Sequence, residues 1–258
     1  MDNRRVICFG SRSETVAFRQ MGTVAFCSIF HNLRNMYESR LVMANEIVRQ
    51  MNIQNVLQHA MELFAENGIE NTSMEMIARA SDLTLRSIQN YFHTRNDLYV
   101  SLLKRNYALE LEEMKDFFGS KEYQSKTGAE QVISIISASL NEAIEHADTV
   151  FCTVQMQHIL SRTANEKNPA QLTGNWLYLM DRLKGAFDAG ITDGSISQAM
   201  ENELIDVHTI MLALIGIHEQ VAYALTNTTL HKLFTPEETV KKYVRQIEAL
   251  MNSQNGNG

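Results

Sequence analysis

Asn71-Thr72-Ser73-Met74-Glu75-Met76-Ile77-Ala78 and, further on, Tyr91-Phe92-His93-Thr94-Arg95-Asn96-Asp97-Leu98 bracket the stretch whose reading decides the fold. Upstream of it, Ile53, Val56, Leu57, Ala60, Met61 and Phe64 recur at helical spacing and put one apolar stripe on a first helix. Gly68 offers the left-handed residue that ends that helix, and Ile69 follows where a Schellman cap wants a hydrophobe. Thr72 with Glu75 makes a T-x-x-E capping box that starts a second helix, with Ile77 and the short Ala78 facing inward. A break is expected at Ser81-Asp82. Thr84 then caps a third, very short helix holding Leu85 to Tyr91, and Thr94 with Asp97 opens a fourth. Two short helices joined by a tight turn and stacked on a longer one can aim the second of them at the DNA major groove.

The span from about Arg49 to Arg105 resembles the DNA-binding domain of TetR-family transcriptional regulators. The resemblance rests on the Ala60-x-x-Leu63-Phe64-x-x-x-Gly68 run, Thr72 with Ile77-Ala78, Tyr91-Phe92, and Arg95-x-x-Leu98. It covers the whole three-helix unit in order and register. Three positions depart from the family pattern. Asp82 stands where Gly is usual at the bend, and Asp tolerates the left-handed region better than most residues. Arg86 replaces a small residue early in the recognition helix, and Gln89 replaces an aromatic.

Composition agrees with an all-α chain. Its 258 residues make one large domain or two small ones, and its only prolines, Pro169 and Pro236, sit where a first helical turn tolerates them. Three cysteines, Cys8, Cys27 and Cys152, show no paired spacing, which suits a reducing cytosol. Ile210 to Ile217 is the longest wholly apolar run, far short of the ~20 residues that span a bilayer, so no membrane partner is expected. Formal net charge is −7. The acidity gathers beyond residue 106, and the near-neutral reader must rely on hydroxyls, helix N-termini and a few aimed cations.

Four segments are expected: a leader at 1–42 (disordered or an upstream extension), a helix-turn-helix domain at 43–106 with the motif at about 73–92, a helical regulatory and dimerisation domain at 107–252, and a polar tail at 253–258. Residues 1–42 lack sustained periodicity, and Met43-Ala44-Asn45-Glu46 reads as a fresh start. Beyond the reader, helices are expected from Thr94 to about Phe118, from Ala129 to Ala147, from Asp148 to Arg162, from Asn168-Pro169 to Gly190, from Ser197 to Leu225, and after Thr235-Pro236. A loop is expected at Gly119 to Gly128. The helix around Ile210–Ile217 is apolar almost all round and so needs burial on two sides. With the Val240, Tyr243, Val244 and Ile247 stripe it reads as a dimerisation surface, one helix pair from each subunit making a four-helix bundle.

Thr72, Ser73, Thr84, Leu85, Arg86, Ser87, Gln89, Asn90, Tyr91, His93 and Arg95 are the candidate DNA-binding residues. Gln and Asn pair with adenine and Arg with guanine, which suits the polar face of the short helix. Thr72, Thr84, His93 and Arg95 mark helix starts, where phosphate is favoured. Met114, Phe117, Phe118, Phe151, Met156, Trp176, Met180, Phe187 and Met211 could line a pocket, with His158 and His208 as its polar contacts. Read singly, each is plain core; the resemblance implies the pocket. No repeated Glu-x-x-His pair, phosphate loop or Ser-His-Asp context appears, so no catalytic residue, metal or cofactor is expected. The expectation is a cytoplasmic, homodimeric, ligand-responsive regulator, taken as a repressor, of palindromic double-stranded operator DNA, with a largely apolar small-molecule effector. A TetR-like helical interaction protein that has lost sequence-specific DNA binding is the alternative.

Overall fold

Residues 12–163, 175–197, 207–227 and 235–252 are described by the structure, a computed structural model. Among them it forms ten helices and no strand. These are α1 (Arg12–Asn67), α2 (Met74–Ala80), α3 (Leu85–Tyr91), α4 (Arg95–Gly119) and α5 (Lys121–Gln124), followed by α6 (Gly128–Glu145), α7 (Ala147–Thr163), α8 (Trp176–Asp193), α9 (Val207–Thr226) and α10 (Pro236–Asn252). The chain divides between Asn55 and Val56 into two compact units.

Within the first unit, residues 12–42 are helical where a leader without structure was expected. No proline interrupts α1, and its single glycine, Gly22, costs a helix only about 1 kcal/mol. Met36, Leu41, Val42, Met43, Ile47, Val48 and Met51 lie exposed along this helix. Residues 1–11 and the tail at 253–258 lie outside the described residues.

The second unit begins with the reader. Val56, Leu57, Ala60 and Phe64 from the end of α1 are buried with Ile77, Ala78, Ile88, Phe92 and Leu98. Gly68 takes φ +82° and its N–H donates to the Phe64 carbonyl, closing α1 as its position in the sequence requires. Asp82, at φ +54°, is the one non-glycine residue with positive φ among the described residues, and it forms the bend between α2 and α3. α4 opens with the expected box: Asp97 N–H donates to Thr94 Oγ1, and Thr94 N–H donates to the Asp97 carboxylate.

The start of α2 differs from the sequence reading. Ser73, and not Thr72, is the N-cap, its Oγ accepting from Met76 N–H at 3.2 Å. Thr72 is buried, and its hydroxyl reaches back to the carbonyls of Leu63 and Gly68 at 3.1 and 2.9 Å. One hydroxyl thus fixes the entry to the motif while its neighbour caps the helix.

In the rest of this unit α6 is the central helix, packed by α8, α9 and α10. Val132, Ile135, Ile136, Leu140 and Ala143 of α6 meet Leu179, Leu183 and Phe187 of α8 and Ile210, Met211 and Leu214 of α9. At the start of α6 a Cβ on Gly128 would fall 1.9 Å from the backbone nitrogen of Gly190, so two glycines permit the α6–α8 approach. Asp193 and Ser195 then accept from the N–H groups of Gly128 and Ala129 at 2.8 and 3.0 Å. The loop expected at 119–128 contains α5, and α8 is described only from Asn175, so the start foreseen at Asn168-Pro169 lies outside the described residues. The helix foreseen from Ser197 is observed as α9, described from Val207; Ser197 itself is not helical, and residues 198–206 lie outside the described residues.

The foreseen dimer seam needs correction. Val240 and Ile247 are buried within the chain itself, because α10 lays its apolar stripe on α6, and Tyr243 and Val244 pack partly against the same core. What α9 leaves outward is Leu212, 73% exposed, with Gly216 and Tyr223. By length and composition α9 also passes as a membrane span, at mean hydropathy 1.3. Its contacts with α6, α7 and α8 are those of a core helix.

Candidate functional site

The reader presents α3. Thr84 caps it, Oγ1 accepting from Ser87 N–H at 3.1 Å, and Thr84 and Ser87 share a hydroxyl–hydroxyl bond at 2.9 Å. Ile88 is completely buried and Leu85 half-buried, which anchors one side of the helix. Arg86, Gln89 and Asn90 are exposed on the other, with His93 exposed just beyond and Tyr91 half-buried. Seven residues with one full anchor leave three long polar side chains outward, which is the geometry base reading needs.

Arg95 behaves differently from the expectation of a phosphate contact. Its guanidinium donates to the Ile69 carbonyl and lies over the rings of Phe64 and Tyr99, 6.0 and 5.6 Å from their centroids. Phe64 and Tyr99 themselves meet edge-on at 5.9 Å. Arg95 is therefore a brace between the end of α1 and the start of α4. Thr72, buried and bonded to two carbonyls, is likewise withdrawn from the surface.

A second feature lies between α4, α6, α7, α8 and α9. A cavity of about 220 Å³ is lined by Tyr107, Glu110, Glu142, Val150, Trp176 and His218 among others. A neighbouring cavity of about 150 Å³ shares Glu110, Glu113 and Glu142 and is lined further by Met114, Phe117 and Phe118. Of the foreseen pocket residues, these three and Trp176 reach the cavities. Met156, Phe187 and Met211 are buried core, Met180 is packed partly against it, and Phe151 pairs with Tyr223 at 5.4 Å. His158 and His208 are exposed and face no cavity. A His or Met at a helical position tells only that it lies on a helix, not which side its neighbours leave open.

The polar groups that do line the space were not foreseen as a set. His218 Nε2 lies 3.3 Å from Glu142 Oε2, and the His218 ring stands edge-on to Trp176 at 5.4 Å. His218 is 8% exposed, and its Nδ1 has no hydrogen-bond partner among the described residues. Asn175 Nδ2 donates to Glu110 Oε2 at 2.9 Å and to the Tyr107 carbonyl at 2.8 Å. Burial, with Glu142 nearby, pushes the Glu110 carboxyl up to about 7, against the pull of the Asn175 bond and His218. Burial likewise pushes the Tyr107 phenol up to about 12, and its oxygen accepts from Gln157 of α7. Nothing local in the sequence ties Glu142 to Glu110 and His218, which come from other helices.

Among the described residues no cluster of His, Cys, Asp and Glu has a metal-holding arrangement.

Residues 56–102 match the family model of the bacterial regulatory proteins of the tetR family. This stretch of the chain carries the helix-turn-helix DNA-binding domain of that family, at its α1–α4 end. Solved structures share its fold. FadR from Bacillus subtilis in complex with stearoyl-CoA is 20% identical, the match covering 77% of this chain and 97% of that one at TM-score 0.55. A tetR-family regulatory protein from Rhodococcus RHA1 is 15% identical over 76% and 94% of the two chains at TM-score 0.57. The fatty acid degradation regulator FadR from Bacillus halodurans is 16% identical over 76% and 93% at TM-score 0.55. No curated protein matches significantly.

Proposed function

We propose that this chain is a cytoplasmic, ligand-responsive repressor that binds a palindromic operator as a homodimer. Arg86, Gln89 and Asn90 read bases, with Thr84, Ser87, Tyr91, His93 and Ser73 around them for the backbone. The observation that carries the reading is α4. Its first turns bury Leu98, Tyr99, Leu102 and Leu103 in the reader, and its later turns supply Tyr107, Glu110 and Glu113 to the cavity. A ligand that moves the α4 wall against α7 therefore displaces α3. Half-sites about 34–36 Å apart in successive major grooves tolerate little change in the spacing of two readers.

The bound stearoyl-CoA of the Bacillus subtilis neighbour supports a ligand-responsive role. The outward face of α9, with Leu212, Gly216 and Tyr223, and the apolar groove it forms with Pro236 and Thr239 of α10, supports pairing of two copies there.

Selection of bound sequences from random duplex DNA tests the reading. A palindrome of two half-sites is expected, and Gln89→Ala should relax preference at one position per half-site by ~1–3 kcal/mol. Recovery of unenriched sequence, with no salt dependence of binding, would favour the interaction protein that has lost specific DNA reading.

A further inference from the structure

The cavity beside Trp176 allows the ligand class to be named, an inference that rests on the ligand-responsive reading. Glu110, Glu113, Glu142 and Glu219 border it, and among the described residues no lysine or arginine does. Among the described residues, His146 and His218 are the imidazoles beside these carboxylates. His218 Nε2 faces the Glu142 carboxylate, while its Nδ1 is buried and unpartnered among the described residues. A ring that donates Nε2–H to a carboxylate keeps Nδ1 as a lone-pair acceptor. The missing partner is thus an N–H or O–H donor, and a buried acceptor without one is costly. Trp176 and Tyr107 add aromatic rings, which attract cations through their faces. The adjoining cavity at Met114 and Phe117 adds an apolar extension.

We propose that this cavity binds a small organic monocation, an aryl-alkyl amine in its ammonium form. Its N–H groups satisfy Glu110, Glu142 and His218 Nδ1, and its apolar part lies against Trp176 and toward Phe117. An anion would face four carboxylates, and a neutral apolar molecule would leave His218 Nδ1 unmet. The largely apolar effector expected from aromatic and methionine content is replaced by a cationic one.

Binding is coupled to protons. Glu110 is held up to about 7 by burial and by Glu142 and Glu113. A cation brought beside it stabilises the carboxylate, so the proton leaves on binding. Among the described residues, the other titratable groups facing it are Tyr107 from α4, His146 between α6 and α7, and His218 and Glu219 from α9; α7 and α8 add no charged group to the lining there.

Trp176 is the only tryptophan and so reports on the site. Its fluorescence in the intact protein is titrated with 2-phenylethylamine, 2-phenylethanol and 3-phenylpropanoate, matched in shape and differing in charge. The amine is expected to saturate at least tenfold more tightly than the alcohol, and the carboxylate not to saturate. The affinity for the amine should rise about tenfold from pH 6 to pH 8, as one proton is released by a group near pH 7. Glu142→Gln should weaken the amine at least tenfold, with Glu110→Gln as the second variant should the first not fold. Equal or tighter binding of the alcohol or the carboxylate, no saturable amine signal, or variants that bind the amine unchanged would overturn the proposal. These outcomes are separate from the DNA selection. Palindrome enrichment without amine binding removes the cation and keeps the regulator; amine binding without DNA specificity does the reverse.

Discussion

The reader and the cavity are built from sequence information at different ranges. Between Gly68 and Asp97 each turn is decided within a few residues. Gly68 adopts the left-handed conformation, Asp82 the bend, Thr84 and Thr94 the caps. The cavity is decided by pairs far apart in the chain. Glu142 meets His218, Asn175 meets Glu110, and Gln157 meets Tyr107. Local punctuation builds a rigid surface that displays side chains, whereas convergence of helices builds an enclosed space whose chemistry no single helix announces.

The largest effect that would break this contrast lies in the reader. Phe64 is 1% exposed and sits beneath both Tyr99 and Arg95, so Phe64→Ala should cost ~3–5 kcal/mol of stability in denaturant unfolding. A loss below about 1 kcal/mol would mean that the reader does not depend on this packing.

Glu110 gives the next effect, and its sign is set by the upward shift. The unfolded carboxyl has its ordinary value near 4.5 and the folded one about 7. Between these values the folded state holds more protons, so stability falls as pH rises from about 4.5 to about 7. Glu110→Gln removes the buried charge. It should leave stability unchanged at pH 4 and raise it by ~1–3 kcal/mol at pH 8. Equal effects at both pH values would show that the carboxyl is solvated.

Arg95 sharpens the boundary between bracing and DNA contact. Arg95→Ala should cost ~1–2 kcal/mol of stability by removing its bond to the Ile69 carbonyl, which keeps only the Thr72 N–H, and by uncovering Phe64. The slope of DNA affinity against salt should stay nearly unchanged, whereas a phosphate contact would lower it by ~1.

The same difference of range explains what could be read in advance. The helix-turn-helix, its bend at Asp82 and the inward Ile77, Ala78 and Phe92 follow from caps and short spacings. The shift from Thr72 to Ser73 as N-cap does not, because both residues suit the position. Thr72 is decided by the Leu63 carbonyl, nine residues back. Trp176, Phe117, Phe118 and Met114 reach the cavities because large side chains on converging helices tend to meet. His158 and His208 were placed there by residue type alone, and the side of the helix each occupies proved to be solvent. His218 went unnoticed within an apolar run, although a histidine amid Ile215, Ile217 and Val221 is a buried polar group that needs partners. The helical course of residues 12–42 was hidden because their sequence carries no sustained apolar period.

The central claim is that the cavity controls the reader through α4. Its most direct test measures operator affinity by fluorescence anisotropy, with and without saturating 2-phenylethylamine, beside the Trp176 affinity for the amine with and without saturating operator. The account predicts that the amine weakens operator binding by ~5–150-fold and that operator weakens amine binding by the same factor, as a coupling of ~1–3 kcal/mol requires. An amine that quenches Trp176 while operator affinity stays unchanged would contradict it.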